Sequence, residues 1–174
     1  MEVQPVSGQR HPIRVVGRRE SSPELSEARA RTKITTTMTP KLSMEPATQL
    51  AVFLSNRPGA LARVCDALAK AEINIHALAT SDTVDHSVVR MVVSDPTRAL
   101  MLLGEAGVLA LENDVLMIQS DNHPGTLAKI ADRLSQADVN IEYTYMAGLI
   151  NADRGLMILR PNDVDKAMRV LRDL

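Results

Sequence analysis

The chain has 174 residues, of which 45% are hydrophobic and only three are aromatic. This composition is typical of a globular protein with an aliphatic core, built as one ordinary domain or as two small ones. Residues 1–45 contain eight Lys and Arg against five Asp and Glu, whereas residues 46–174 contain twelve against sixteen. An acidic body of this kind argues against a nucleic-acid partner or an anionic membrane surface.

Cysteine usage and the length of apolar runs indicate the compartment. Cys65 is the only cysteine, so no disulfide can form within the chain, which fits a reducing environment. No stretch approaches the roughly 20 apolar residues of a membrane span, and the N-terminus lacks the apolar segment of a secretory signal. We therefore expect a cytoplasmic protein with no membrane partner.

Residues 1–45 have the composition of a tail. They mix Pro, Ser, Thr, Arg and Glu without helical or strand periodicity, although residues 33–39, KITTTMT, have strand propensity. We predict that this segment is disordered or does not belong to the native protein.

Residues 46–113 predict one βαββαβ unit. Its strands are predicted over residues 49–55, 73–81, 86–94 and 108–112, and its second helix over residues 95–107. The first helix is predicted to begin at Pro58, since proline suits the first helical position, and to carry an apolar stripe of Leu61, Val64, Cys65 and Leu68.

Residues 114–174 predict a second, shorter copy. Its strands are predicted over residues 114–120, 139–148 and 156–160, its last helix over residues 161–174, and its first helix carries the stripe Leu127, Ile130, Ala131 and Leu134. No fourth strand follows, which would expose a sheet edge. The edge could be filled by residues 33–39, by a strand of another chain, or by nothing. Tyr143 and Tyr145 share one strand face, where they either pack on the sheet surface or form a pocket wall or an inter-domain contact.

One turn motif, Asn-x-Pro-Gly, occurs twice, as Asn56-Arg57-Pro58-Gly59 and as Asn122-His123-Pro124-Gly125. Aligning residues 56–78 with 122–144 gives ten identities in 23 positions, which indicates duplication. The first turn of the following helix has backbone N–H groups without internal partners, and these can bind a carboxylate. A glycine without Cβ lets a ligand approach, and an Asn amide can bind an ammonium group. An ordinary turn into a helix explains the same residues, and both readings stay open.

Both copies resemble ACT domains, which are ferredoxin-like βαββαβ modules that sense amino acids. The resemblance rests on N-x-P-G-x-L followed by an amphipathic helix and an Asn-Ile pair at the second strand, and it covers about 125 residues. It implies an α+β fold of two tandem units with antiparallel sheets and helices on one face, over residues 46–113 and 114–174. It also implies ligand contacts from Asn56, Arg57, Pro58, Gly59, Ala60 and Leu61, and from Asn122, His123, Pro124, Gly125, Thr126 and Leu127. Asn74 and Asn140 are secondary candidates, for which turn formation is the competing explanation.

The resemblance predicts a regulatory protein rather than an enzyme. The sequence shows no nucleophile paired with a base, no phosphate-binding loop and no histidine spacing suited to a metal, so we expect no cofactor and no metal. RNA binding is disfavoured, since the third strands, residues 86–94 and 156–160, contain no aromatic side chain.

We therefore expect a homodimer that binds an amino acid or a similar small carboxylate. One alternative is a regulatory subunit of an amino-acid biosynthetic enzyme, similar to the small subunit of acetolactate synthase. Another is a structural interaction module without a ligand.

Overall fold

The computed structural model describes residues 42–81, 86–148 and 152–174. The predicted tail up to residue 41, with its segment 33–39, lies outside the described residues. The same holds for the turn at residues 82–85 and for residues 149–151.

Six strands and four helices follow one another in the order of two successive units. In chain order they are β1 Ser43–Ser55, α1 Ala60–Lys70, β2 Ile75–Ser81, β3 His86–Val93, α2 Pro96–Glu105, β4 Ala110–Asp121, α3 Thr126–Gln136, β5 Ile141–Gly148, β6 Arg154–Pro161 and α4 Val164–Leu171. All strand pairs are antiparallel, in the order β2-β3-β1-β4-β6-β5. The predicted α+β fold is confirmed, and the strands predicted at 108–112 and 114–120 form the single strand β4.

β1 begins at Ser43, six residues before the predicted start of the first strand. The expected tail boundary at residue 45 is therefore wrong, because residues 43–45 belong to the sheet. The segment from Ser43 to Thr48 pairs with Gln119 to Asp114 of β4, in the second unit. It occupies the place of the fourth strand that this unit does not supply after α4. The edge is thus filled from this chain, by residues 43–48.

The pairing of β1 with β4 relates the two units to each other. Thr48 pairs with Asp114, and these positions are separated by 66 residues, which is also the offset of the repeat. Each unit therefore uses one half of β1 and one half of β4. Within the described residues, β1 pairs with β3 only from Gln49 onward, so residues 43–48 have one open side. Pro46 lies in that segment, and a proline, which lacks an N–H, is tolerated at a sheet edge.

Each half of the sheet buries one face under its own helices. Side chains alternate along a strand, so Leu50, Val52 and Leu54 point to the same side and pack with buried residues of α1 and α2. Leu116 and Ile118 of β4 pack in the same way with α3 and α4. These two helix-covered cores are built almost entirely from aliphatic side chains, as the composition predicts.

The opposite faces of the two halves pack against each other. Val92 of β3, Val115 of β4 and Ile158 of β6 form a third buried cluster, and Tyr145 packs against it. In a flat sheet β3 and β5 would be about 19 Å apart, since strands lie about 4.8 Å from their neighbours. Arg90 Cζ of β3 nevertheless lies 4.6 Å from the ring centroid of Tyr143 of β5. The sheet therefore folds over along β1 and β4, with helices on the two outer sides.

One buried amide connects the two units across this interface. Gln49 is fully buried, and its Nε2 donates a hydrogen bond to Tyr143 Oη at 2.6 Å. The Tyr145 hydroxyl donates to Gln49 Oε1 at 3.1 Å. Both ends of the amide are thus paired, which a buried amide requires. Of the two explanations considered for the tyrosine pair, the inter-unit contact is confirmed.

Tyr143→Phe removes the acceptor of Gln49 Nε2 and leaves a buried N–H unpaired. We expect a loss of about 1–3 kcal/mol in the free energy of unfolding, measured by urea denaturation. The double variant Gln49→Leu with Tyr143→Phe replaces both partners by apolar groups, so it should lose less than the sum of the two single variants. Strictly additive losses would show that the two side chains do not interact.

We expect the Tyr145 hydroxyl to lose its proton at a higher pH than an ordinary tyrosine does. Burial, and then the neighbouring Tyr143, raise the pKa of Tyr145 from 10.0 to about 12, while Arg90 lowers it. Folding therefore favours the neutral phenol, and this contribution to stability is complete below pH 10 and is lost as the pH rises towards about 12. In Tyr143→Phe, where Tyr145 is the only tyrosine, absorbance of the phenolate should give a midpoint above 10, whereas an ordinary midpoint of about 10 would contradict burial as the main cause.

Candidate functional site

The repeated Asn-x-Pro-Gly sequences form the loops between β1 and α1 and between β4 and α3. Gly59 precedes α1 with φ +83° and ψ −7°, and Gly125 precedes α3 with φ +94° and ψ −9°. The N–H of Ala60 donates to Arg57 O at 3.2 Å, and the N–H of Thr126 donates to His123 O at 3.3 Å. These values match a type II turn, which favours proline second and glycine third.

The turn type corrects the predicted start of the first helix. Pro58 is the second residue of the turn and not the first of the helix, which begins two residues later at Ala60. The glycines are required by their left-handed backbone, which other residues adopt only with strain. Space around them is open. A Cβ at Gly125 would meet no atom within 4 Å, and a Cβ at Gly59 would meet Arg63 Nη1 at 3.5 Å.

The four helices differ in how their N-termini are capped. The Asp95 carboxylate accepts from the N–H of Arg98 at the start of α2, and the Asp163 carboxylate accepts from the N–H of Lys166 at the start of α4. The N-cap residues of α1 and α3 are Gly59 and Gly125, which have no side chain that could cap the helix, and the first turn of each helix contains no acidic residue. The two helices that follow the repeated motif therefore present their positive ends without an internal carboxylate.

A cleft of about 210 Å³ lies beside the first loop. Leu54 and Ser55 line it from the end of β1, and Asn56, Arg57, Ala60 and Leu61 line it from the loop and the start of α1. The others come from β2 and β3, namely Thr80, Ser81, Ser87 and Val89. Leu61, predicted to lie in the buried helix stripe, is 37% exposed at this cleft, so its side chain is available to a ligand.

The second loop is fastened to the turn between β5 and β6. The N–H of Asn122 donates to Asp153 O at 2.9 Å, and Asn122 Nδ2 donates to Ala152 O at 3.2 Å. His123 and Leu127 are exposed and Thr126 is half-buried. The candidate residues of this loop therefore lie together, as those of the first loop do.

Asn74 and Asn140 do not join either loop. The N–H of Asn74 donates to Ser94 Oγ at 3.0 Å, and the N–H of Asn140 donates to Asn162 Oδ1 at 3.0 Å. These bonds hold the turn that follows β3 or β6, at the end of the sheet opposite the loops. The length of β2 separates Asn74 from the first loop by about 20 Å. Both bonds use the backbone N–H of the asparagine, and a ligand contact from either side chain stays a prediction.

Sequence reasoning missed a larger cleft of about 550 Å³ in the second unit. It lies where the first half of β1 meets the turn between β6 and α4. Arg160 Nε and Glu142 Oε2, 2.9 Å apart, form an ion pair in its wall. No motif marks this place, because its walls come from segments far apart in the chain.

Within the described residues, no three His, Cys, Asp or Glu side chains are arranged to hold a metal ion, and Cys65 is partly buried on α1. None of the helices there combines the length and apolar character needed to cross a membrane.

The left-handed glycines predict a distinct order of stability among variants. Gly59→Val should lose about 1–3 kcal/mol, because a β-branched residue is strained at positive φ. Gly59→Asn should lose less, because asparagine tolerates this region. Urea denaturation of both variants, and of the same changes at Gly125, checks this order, and equal losses would show that backbone strain is not the cause.

Comparison with known proteins identifies the fold. Residues 46–173 match the family model described as an ACT domain pair. The crystal structure of protein BT0572 from Bacteroides thetaiotaomicron is 36% identical, with a TM-score of 0.69 over 75% of this chain and 89% of that one. No curated protein matches.

Regulatory subunits of aspartate kinase share the fold at lower identity. The ligand-free subunit from Thermus thermophilus is 18% identical, with a TM-score of 0.59 over 76% of this chain and 95% of that one. The subunit from Thermus flavus is 19% identical, with a TM-score of 0.54 over 77% and 95%. The two half-sheets covered by helices and the two type II turns are consistent with the match over residues 46–173. This chain belongs to the ACT domain pair family.

Proposed function

We propose that this protein is a non-catalytic regulatory sensor that binds an amino acid or a similar small carboxylate at the corner built by the Asn-x-Pro-Gly loop. Binding shifts the conformation or assembly of a partner enzyme, and a coupling of about 1–3 kcal/mol is typical of such regulation.

The observation that carries the proposal is the contrast between the helix caps. α2 and α4 are capped by aspartates of the chain, whereas α1 follows a glycine N-cap, has no acidic residue in its first turn and begins beside an open cleft. A ligand carboxylate at α1 would accept hydrogen bonds from the helix and interact favourably with its dipole. Arg57 adds a positive charge at the same place.

The dimensions of the cleft fit a small metabolite. At about 210 Å³ it is smaller than the roughly 300–1,000 Å³ of pockets for drug-sized ligands. The side chains of Leu61, Leu54 and Val89 provide apolar contact, and those of Thr80 and Ser87 provide hydroxyl groups. Together with the helix end, this combination suits the carboxylate, ammonium and short side chain of an amino acid.

The partner class follows from the fold neighbours. The Thermus thermophilus neighbour is a regulatory subunit of aspartate kinase, so the fold can work as a subunit separate from its enzyme. On this basis the proposed partner is an amino-acid biosynthetic enzyme of the cytoplasm. A pull-down that recovers the large subunit of acetolactate synthase would instead favour the alternative partner.

Self-association completes the proposal. Phe53, Leu109 and Leu111 are exposed apolar residues at neighbouring positions of β1 and β4, since the N–H of Phe53 donates to Leu109 O and Leu111 pairs with Ala51. A patch of large apolar side chains is typical of an interaction surface, and a homodimer would cover it.

A thermal-denaturation screen with the twenty amino acids tests the function. A ligand at about 100 times its Kd should add about 2.7 kcal/mol to the free energy of unfolding, which raises the Tm measurably. If no amino acid shifts the Tm, the sensor function is wrong and a structural interaction module becomes the better account.

A charge placed in the first turn of α1 tests the binding mode. Ala62 is exposed at the third helical position, so Ala62→Glu supplies an internal carboxylate that competes with the ligand. We expect the ligand-free protein to gain about 0.3–1 kcal/mol of stability and the ligand-induced shift in Tm to shrink.

Ala62→Gln is the matched control, because it has the same shape without the charge and should keep the ligand-induced shift. A loss of the shift in both variants would indicate a steric effect, and retention in both would contradict the contact between the carboxylate and the helix.

A further inference from the structure

A second cavity, of about 320 Å³, opens on the other side of the first loop. We refer to this cavity, which lies between α1, α2 and the connection from α2 to β4, as the slot. The cleft beside the first loop contacts β2 and β3, whereas the slot contacts Gly107 and Val108, which precede β4. Since β1 lies between β3 and β4 in the sheet, the two cavities lie on opposite sides of β1. They share the wall formed by Leu54, Ser55 and Ala60.

Apolar side chains form much of the lining of the slot. Val64 and Ala67 line it from α1, Leu103 lines it from α2, and Val108 lines it from the connection to β4. Val64 and Leu103 are buried members of the first core, so the slot reaches down to that core. Its volume falls within the roughly 300–1,000 Å³ of typical small-molecule sites. The slot is therefore suited to a ligand with an apolar tail.

Arg63 adds a positive charge to this apolar slot. Its side chain lines the slot, and its Nη1 lies 3.5 Å from the place that a Cβ at Gly59 would occupy. The guanidinium group therefore lies beside the loop, near the N-terminal end of α1, where the helix dipole is also positive. A guanidinium group can bind a carboxylate through two parallel hydrogen bonds. The charge of the slot is thus complementary to an anionic head group.

The second unit fills the equivalent place with its own aliphatic side chains. Ala106 follows α2 and Leu174 follows α4, each at the same distance from the aspartate that caps its helix. Val108 corresponds to Leu42 at the repeat offset of 66 residues. Leu42 and Leu174 both pack against the second core. In the first unit the smaller side chains of Ala106 and Val108 leave room there, so an aliphatic group can come from a ligand instead.

We propose that the slot is a binding site for a small carboxylate with a branched aliphatic tail. The tail lies against Val64 and Leu103, in the space that Ala106 leaves, and the carboxylate pairs with Arg63. This site is separate from the amino-acid cleft, and its occupation does not require a ligand there.

Three matched probes test the site by titration of the full ¹⁵N-labelled chain, followed by the NMR shifts of its backbone amides. They are 4-methylpentanoate, its amide, which keeps the shape without the charge, and acetate, which keeps the charge without the tail. We expect 4-methylpentanoate to bind at least about tenfold more tightly than either of the others. The largest shifts should lie at Val64, Ala67 and Val108.

Variants test the two contacts separately. Ala106→Leu introduces the residue that the second unit has at this place, and it should weaken binding of 4-methylpentanoate by about tenfold or more. Ala106 is exposed, so the change leaves the core intact. Ala69→Leu is the matched control at an exposed position of α1 outside the lining, and it should leave binding unchanged. Arg63→Gln should make the affinities for the carboxylate and its amide equal.

The outcomes separate this site from the proposed sensor function. Equal binding of 4-methylpentanoate and its amide to the unmodified protein would overturn the site, and so would unchanged binding in Ala106→Leu. Shifts centred on Thr80 and Ser87 would place the carboxylate in the amino-acid cleft and would also overturn it. An amino-acid screen without a change in Tm would remove the sensor function and leave this site standing. Urea midpoints of the variants distinguish weakened binding from unfolding.

Discussion

The antiparallel pairing of β1 with β4 is the constraint on which the rest of this structure depends. The pairing runs from Ser43 opposite Gln119 to Val52 opposite Ala110. At the pair of Thr48 and Asp114, the strand halves that belong to the second unit end and those that belong to the first unit begin. Because each unit takes half of each strand, neither sheet is complete without the other. The fold-over that brings Gln49 against Tyr143 follows from the same two strands, since among the described strands they alone belong to both half-sheets. Each corner is therefore held by a framework common to both units.

Local patterns in the sequence were enough to predict most of the elements. Period-two and helical stripes predict all six described strands, except for the first half of β1, and the four helices. The Pro-Gly pair of each loop belongs to a turn that precedes the helix. The first half of β1 was not predicted, because residues 43–48 are mostly polar or small and include Pro46. Their strand conformation comes from pairing with β4, about 70 residues along the chain. The packing between the two sheet faces that no helix covers is equally non-local, and in the sequence only the pair Tyr143 and Tyr145 indicated it.

The candidate site likewise combines residues that a local motif predicts with residues that come from distant segments of the chain. The loops and the first turn of each helix are contiguous, so the repeated motif located Asn56–Leu61 and Asn122–Leu127 together. The floor of each corner comes from β2 and β3 or from β5 and β6, and no motif marks Thr80 or Ser87. A duplication preserves the loops, because the type II turn demands proline and glycine, but it leaves the floors free to diverge. The two loops share asparagine, proline, glycine and leucine, whereas the strand residues beneath them differ.

A crystal structure of the protein with the amino acid that raises its Tm most is the most direct measurement of this account. We predict a ligand in the cleft beside the first loop, with its carboxylate within hydrogen-bonding distance of backbone N–H groups at the start of α1 and its side chain near Thr80 and Ser87. A ligand bound elsewhere, for example in the 550 Å³ cleft beside Arg160, with the first corner filled only by water, would contradict it.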